Sequence, residues 1–332
     1  MDPRVSLALR RRHGHAIPPA DLAAALGLSP RRLAEAVHDL SEVGFVVETH
    51  PMLGLGLVRA PAGLLTEELA CELAVNRVGR HIECVEATAS TNDLAWESVA
   101  KGRDASDGLA IFAEHQTAGR GRRGSRWLAP PHTAVLCSVV LWMPRAGAEA
   151  ALLTRAAAVA AAEAIEEQAD LTAGIKWPND VVVEDRKVGG ILVEARPAAE
   201  GTTAVVIGIG LNGSQGPEAF PPDMRPHVAS LGMLGAEVDR TLLARSLLER
   251  LDRVCGGAGR VDEGEDVRHE AARRCRTVGR RITLAEGGEV YEGEVVDLDP
   301  DYGLILRLAD GSQRRFGAMT SHVVSGGRPG AG

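Results

Sequence analysis

Aromatic side chains are scarce: four tryptophans, four phenylalanines and two tyrosines make up 3% of the 332 residues. Hydrophobic cores must therefore be assembled from Ala, Leu, Val and Ile. Long apolar runs are missing too. None approaches the roughly 20 residues of a membrane-spanning helix, so no membrane partner is expected. Met1-Asp2-Pro3 leads to Arg10-Arg11-Arg12-His13 with no apolar stretch after those charges. A secretory signal is not expected, and a cytoplasmic location is. The five cysteines are Cys71, Cys84, Cys137, Cys255 and Cys275. An odd number with no CxxC pair fits neither a disulfide framework nor a zinc site; free buried thiols are expected. A basic excess is absent as well. The formal net charge is −8, which argues against a general nucleic-acid binder. Neither a P-loop nor a kinase signature set occurs.

What is present is 45% hydrophobic and 25% charged residues, the balance of a soluble globular chain with room for two or three domains. Residues 1–60 read as helical and then stranded. Pro18-Pro19-Ala20-Asp21 starts a helix carrying Leu22, Leu26 and Leu28. Gly27 interrupts it. Ser29 and Pro30 open the next helix, with Leu33, Val37 and Leu40 on one face and a stop at Gly44. Two short strands, 45–48 and 55–58, flank a Pro51/Gly54 turn, so the segment resembles a winged helix-turn-helix. Residues 64–78 read as a connecting helix. From Ile82 onward, strands at 108–114, 134–142, 174–176, 181–183, 190–194 and 204–209 mix with helices at 150–169 and 241–255, which predicts an α+β domain on a mixed sheet. Gly256-Gly257-Ala258-Gly259 reads as a loop. Beyond Cys275 only strands are expected, at 281–285, 290–297, 303–308 and 313–316, with turns at Gly287-Gly288 and Asp310-Gly311. They form a small β-barrel candidate. The Gly/Pro-rich end, 325–332, reads as disordered.

Gly119-Arg120-Gly121-Arg122-Arg123-Gly124 matches G-x-G-x-x-G, a weak pattern alone. A dinucleotide loop opens directly into a helix. This one runs into Ser125-Arg126-Trp127-Leu128-Ala129-Pro130-Pro131, and no acidic strand-end residue follows at the expected distance. The remaining reading is a glycine-rich loop with Arg120, Arg122, Arg123 and Arg126 around an anion, or a solvated or RNA-binding Gly-Arg segment. Lys176-Trp177-Pro178-Asn179-Asp180 is a structural turn by composition. With Lys187, before Gly189-Gly190-Ile191, it would place two lysines on neighbouring strands of one cleft. Ser90-Thr91-Asn92-Asp93 reads as a helix N-cap, or as a polar-ligand site at a helix start. Asn212 ends the strand at 204–209 and Gly210; it is a turn residue or an adenine reader.

Together, Ser90-Thr91-Asn92, Gln116 with the Gly-Arg loop and Trp127, Lys176–Asp180, Lys187 with Gly189-Gly190-Ile191, and Gly208–Asn212 resemble the biotin–protein ligase family in order and spacing. The resemblance covers about residues 80–325. With the N-terminal segment, the architecture is similar to the bifunctional ligase/biotin operon repressor. It implies a winged helix-turn-helix over 1–62, a class II synthetase-like ligase domain over 63–272, an SH3-like barrel over 273–326 and a tail over 327–332. It also implies that biotin and MgATP give biotinyl-5′-adenylate, which a lysine of the biotin carboxyl carrier domain of acetyl-CoA or a related carboxylase then attacks. The implied catalytic residues are Arg122, Lys176 and Lys187. The implied biotin contacts are Ser90, Thr91, Asn92, Gln116, Arg120, Gly121, Arg122, Lys187 and Gly190. Arg120, Arg122, Trp127, Lys176, Asn179, Asp180 and Asn212 would hold ATP or the adenylate. The resemblance assigns no Mg²⁺ ligands. Family members often dimerise sheet to sheet.

Three features depart from that family. Ser125 replaces a frequent basic residue. Thr320-Ser321-His322-Val323 lacks an arginine often found there, which questions a barrel contact to ATP. Over residues 1–60, seven basic against six acidic side chains leave a net charge of +1, and only Arg31 and Arg32 mark the candidate recognition helix. Phosphate contacts need Lys or Arg, so the domain is expected to be mainly structural or regulatory. The alternative is a biotin-sensing DNA-binding regulator. Lipoate ligases share the fold but differ in their glycine-rich signature.

Overall fold

Asp2 caps a helix ahead of the expected pair. Its carboxylate accepts from the Arg4 amide at 3.1 Å and Pro3 takes the first position of α1 (Pro3–Arg10) in the computed structural model. The structure describes residues 1–144, 150–198, 201–255, 265–299 and 303–326. α2 (Pro19–Leu26) ends at Gly27, whose φ of 64° is left-handed; Ser29 then caps α3 (Pro30–Glu42) through the Arg32 amide. β1 (Val46–His50) and β2 (Gly54–Arg59) pair antiparallel. Val5, Leu9, Leu22, Leu33, Leu40, Phe45 and Leu55 form the core of this unit.

The connecting helix expected over 64–78 shrinks to α4 (Thr66–Ala70). The cause lies far along the chain. The Asp252 carboxylate accepts the amides of Asn76 (2.6 Å), Arg77 (2.9 Å) and Val78 (2.8 Å), so those donors are not left for a helical ladder.

A seven-stranded sheet follows, built from β3 (His81–Thr88), β4 (Leu109–Gln116), β5 (Ala134–Pro144), β6 (Gly174–Lys176), β7 (Asp180–Val183), β8 (Arg186–Pro197) and β9 (Thr202–Asn212). Its order is β3-β4-β5-β9-β8-β7-β6. β3 and β4 are parallel and the other neighbours antiparallel, so the sheet is mixed, as expected. Both faces are covered. β4 sends Ala110 and Phe112 to the side of α7 (Ala150–Ala169) and α8 (Arg240–Cys255), and Leu109 and Ile111 to the side of α5 (Thr91–Val99). The alanine run of α7 is fully buried and lets α8 pack closely against it. α6 (Arg103–Ser106) is a single turn. An unanticipated α9 (Glu265–Arg274) is held by Arg274, whose Nη2 donates to Glu166 of α7 at 2.8 Å.

The C-terminal strands β10 (Arg281–Glu286), β11 (Glu289–Leu298), β12 (Leu304–Leu308), β13 (Gln313–Phe316) and β14 (Ser321–Gly326) form an antiparallel sheet in the order β13-β12-β11-β10-β14. β14 was not foreseen. Ser325 and Gly326 belong to it, so the tail read as disordered starts too early; 327–332 and the loop read at 256–259 lie outside the described residues. Trp177 buries itself with Ile282, Leu284, Val295, Leu306 and Phe316, and its amide donates to Thr277 Oγ1 at 3.0 Å. The turn between β6 and β7 thereby lends a tryptophan to the C-terminal core. Among the described residues, no helix is long and apolar enough to cross a membrane.

Candidate active site

Glycines on the middle strands flatten one region of the sheet. Gly190 of β8 pairs with Gly210 of β9, and Leu192 with Gly208. A Cβ on Gly210 would strike the Trp127 ring, and one on Gly208 would strike Asn92 Oδ1. Their absence leaves a cavity of about 250 Å³ bounded by the start of α5, the Gly-Arg loop, Trp127 and the ends of β7 and β8.

The start of α5 supplies one wall. Ser90, Thr91 and Asn92 are each 3% exposed. Ser90 makes no side-chain cap, contrary to the N-cap reading; its hydroxyl borders the cavity instead. The Thr91 amide and hydroxyl donate to Gln116 Oε1 at 2.7 and 3.1 Å. Asn92 Nδ2 donates to Glu194 Oε2 at 2.7 Å. Ser138 Oγ lies 2.7 Å from Thr91 Oγ1 and 2.6 Å from Asn92 Oδ1. Sequence reasoning missed Ser138 and Glu194. A serine inside the apolar run of β5 was the available signal for the first. The second merely ended an apolar strand.

The Gly-Arg loop does not open into a helix, which bears out the rejection of a dinucleotide fold. It closes on itself through the Gly121 amide to Ser125 O (2.7 Å) and the Trp127 amide to Gly119 O (2.9 Å). Arg120 turns to Asp93, with two hydrogen bonds of 2.7 Å, and its Nη2 lies 3.8 Å from Glu194. Arg122 reaches the other way. It donates to the Ala318 carbonyl at 2.7 Å and toward Asn179 Oδ1 at 3.4 Å. Arg123 and Arg126 are exposed and have no ion-pair partner among the described residues.

Lys187 points along the cavity wall. Its Nζ is 2.6 Å from Asp180 Oδ1 and 5.6 Å from the centre of the Trp127 ring. Asn179 fixes the turn before β7, donating to the Ile191 carbonyl at 3.0 Å. Lys176 does not share this cleft. It sits exposed on edge strand β6, and β7 separates it from the strand of Lys187. Successive side chains alternate faces there, and Lys176 borders a separate cavity of about 50 Å³ with Trp177, Arg276 and Arg280. Asn212 lines a third cavity of about 60 Å³, which shares Trp127 and Lys187 with the main one. Its Nδ2 donates to Ala229 O (2.9 Å) and its Oδ1 accepts from Gln215 (3.0 Å), so its amide hydrogen bonds are largely taken up within the fold. Cys137 borders the main cavity, but burial pushes its thiol well above the usual range. It therefore stays protonated and is no nucleophile. Asp180 is the one carboxylate among the described residues lining the cavity, and no group of three metal-ligating side chains occurs among them.

Residues 84–212 match the family described as the biotin/lipoate A/B protein ligase family, and residues 277–318 match the biotin protein ligase C-terminal domain. The biotin–acetyl-CoA-carboxylase ligase of Mycobacterium tuberculosis is 34% identical over 241 residues, 68% of this chain and 83% of that protein. The chain belongs to the biotin protein ligase family. It is a biotin ligase enzyme, similar also to the bifunctional ligase/repressor BirA of Bacillus subtilis, at 32% identity over 68% of this chain and 69% of that one. The fold agrees with that of an Aquifex aeolicus biotin protein ligase solved in complex with biotin and ATP. The TM-score is 0.59 at 22% identity, covering 74% of this ligase and 98% of the other chain.

Proposed function

We propose that this ligase forms biotinyl-5′-adenylate in the 250 Å³ cavity and then passes biotin to a lysine of a biotin carboxyl carrier domain. The observation that carries the reading is Lys187, held between Asp180 and the face of Trp127 at the wall of a cavity otherwise rich in buried neutral donors and acceptors. Ser90, Thr91, Asn92 and Gln116 suit the polar ring of biotin. Lys187 and Arg122 suit the two anions that must meet.

In the first step, the biotin carboxylate attacks the α-phosphorus of ATP. A carboxyl–phosphate bond forms and the bond to pyrophosphate breaks. Lys187 offsets the repulsion between carboxylate and phosphate, and a preorganised cation of this kind is worth roughly 10²–10³ in rate. Arg122, braced by the Ala318 carbonyl, adds a second positive charge on the loop that covers the product. Trp127 offers a flat apolar face to the nucleotide between the main cavity and the one bordered by Asn212. In the second step, the carrier lysine attacks the acyl carbon, loses a proton and releases AMP. The loop limits water during the interval.

Among the described residues, no group of three metal-ligating side chains forms a dedicated magnesium site. Mg²⁺ would be carried in by ATP's phosphates, the usual mode for this ion, and would supply further charge neutralisation there. Lys176 and Asn212 drop out of the direct catalytic and adenine-reading roles expected of them, for the geometric reasons above. The N-terminal unit over 1–62 is assigned as a winged helix-turn-helix, and 273–326 as an SH3-like barrel docked on the ligase domain over 63–272. Operator binding is weak or vestigial in this reading. Arg31 and Arg32 share the same Glu35, at 2.9 and 3.0 Å, so the start of this helix carries one net positive charge for phosphates.

The test is incubation of the full chain with ATP, a carrier domain and either biotin or lipoate, followed by intact mass. One biotinyl group on the carrier, with no lipoyl group, is the expected result. An unmodified carrier alongside biotin-dependent DNA binding at nanomolar concentration would favour a regulator instead.

A further inference from the structure

The Gly-Arg loop has two anchors on the surrounding protein, Arg122 on the Ala318 carbonyl and Arg120 on Asp93. Both oxygens of Asp93 receive Arg120, Nη1 to Oδ2 and Nη2 to Oδ1, each at 2.7 Å. Glu194 stands behind the pair, 3.8 Å from Arg120 Nη2, while it accepts from Asn92 Nδ2 at 2.7 Å and Trp96 Nε1 at 3.2 Å. Asp93 occupies the first turn of α5, three residues after Ser90, where a carboxylate commonly folds back onto the helix's own amides. Here both oxygens are turned outward to the loop.

We propose that Asp93 is a positioning residue of the ligase reaction: with Glu194 it latches Arg120, and through it the Gly-Arg loop, onto the start of α5 while the acyl adenylate awaits its acceptor. This rests on the proposed adenylate chemistry of the cavity. Three observations argue for a latch and not a static brace. The bidentate guanidinium–carboxylate fit is directional, so it fixes where the loop sits. Arg120 holds the Asp93 carboxyl below the usual carboxylate range, so the latch is ionised at neutral pH. Both side chains are also well exposed, 38% for Arg120 and 44% for Asp93. Water and salt therefore compete with the pair, and it opens at small cost when the carrier lysine arrives. Glu194 joins the latch to Asn92, so the residue facing the cavity and the residue holding the loop share one carboxylate.

The experiment uses the full-length enzyme. Adenylate is formed from biotin and ATP without carrier, and its hydrolytic loss is followed as biotin and AMP release. Biotin-dependent pyrophosphate exchange is measured in parallel. Asp93→Asn should raise the leak about threefold to fivefold, the upper scale of one exposed ion pair, with exchange within about twofold of wild type. Asp93→Glu should bring the leak back toward wild type. The wild-type leak should climb with salt, and that of Asp93→Asn should not. Wild-type exchange with an unaltered leak in Asp93→Asn would overturn the latch alone. A parallel loss of exchange would overturn it too, since Asp93 would then be acting on the chemical step. Absence of exchange in the wild-type enzyme would remove the adenylate reading itself, and the latch with it.

Discussion

Arg122 and Ala318 meet across 196 residues of chain, the guanidinium donating to the backbone carbonyl at 2.7 Å. A loop arginine beside the cavity is thus oriented by the C-terminal sheet through a backbone atom that no side-chain substitution removes. Arg122→Ala is expected to lose this brace and a cavity charge together, leaking or failing to hold the adenylate. Ala318→Ser should leave it intact. Biotin and AMP release without carrier distinguishes the two; wild-type behaviour in Arg122→Ala would refute the assignment.

Lys187 and Lys176 separate cleanly. Lys187→Ala should lower biotin-dependent pyrophosphate exchange by about 10²–10³. Lys176→Ala should stay within about threefold of wild type, because Lys176 lies on edge strand β6 outside the main cavity. An equal loss in both variants would restore Lys176 to the reaction.

Trp177 should be a stability residue. It is 2% exposed and shares a core with Phe316 and Leu306. Trp177→Ala is expected to cost about 3–5 kcal/mol, read as a shift in the urea midpoint. A small change in midpoint would mean that the two cores are not joined.

Acid should loosen α9 first. Burial pushes the Glu166 carboxyl up, but hydrogen bonds from Arg274 outweigh it and hold the group below its ordinary value of 4.5. A depressed carboxylate contributes stability that is complete above the ordinary value and is lost as pH falls through the folded one. Protection of the α9 amides from hydrogen exchange, relative to the free-peptide rate at each pH, should therefore fall below about pH 4.5, and Arg274→Met should flatten that dependence. Unchanged protection down to pH 3 in the wild type would contradict it.

Gel shifts of the full chain on palindromic DNA should show little binding at physiological salt, and Arg31→Ala with Arg32→Ala should change it little. The Glu35 carboxylate, held below its usual range by Arg31 and then Arg32, offsets one of the two charges and leaves the helix start with a single net positive charge.

Much of the fold was legible because its signals are local. Ser29 with Pro30 starts α3 where expected, the alanine run makes α7, and the strand apolarity from Ala134 to Gly210 gives the sheet. What sequence reading missed depends on distant partners. Asp252 strips residues 76–78 of helical bonds, and Arg274 pins a polar α9 that has no strong apolar face. In the site, the glycine and Ser-Thr-Asn motifs were visible as patterns. Lys176 was misplaced because strand order, not spacing, decides which lysine faces the cavity. Ser138 and Glu194 act through other side chains, and that leaves no motif.

Arg10 gives a last consequence. It leaves α1 with a 5% exposed side chain to meet Glu68 in two bonds of 2.8 Å and Asp239 in a third. Asp239 in turn caps α8 through the amides of Thr241 and Leu242. The N-terminal unit is therefore not a detachable module. Replacing Arg10 by Met, with the unit still in place, would strand Glu68 without its cation in a dry setting, a far costlier injury than loss of an exposed pair, whereas trimming the chain back to its ligase portion would take this cross-link from α8 and leave Glu68 to water.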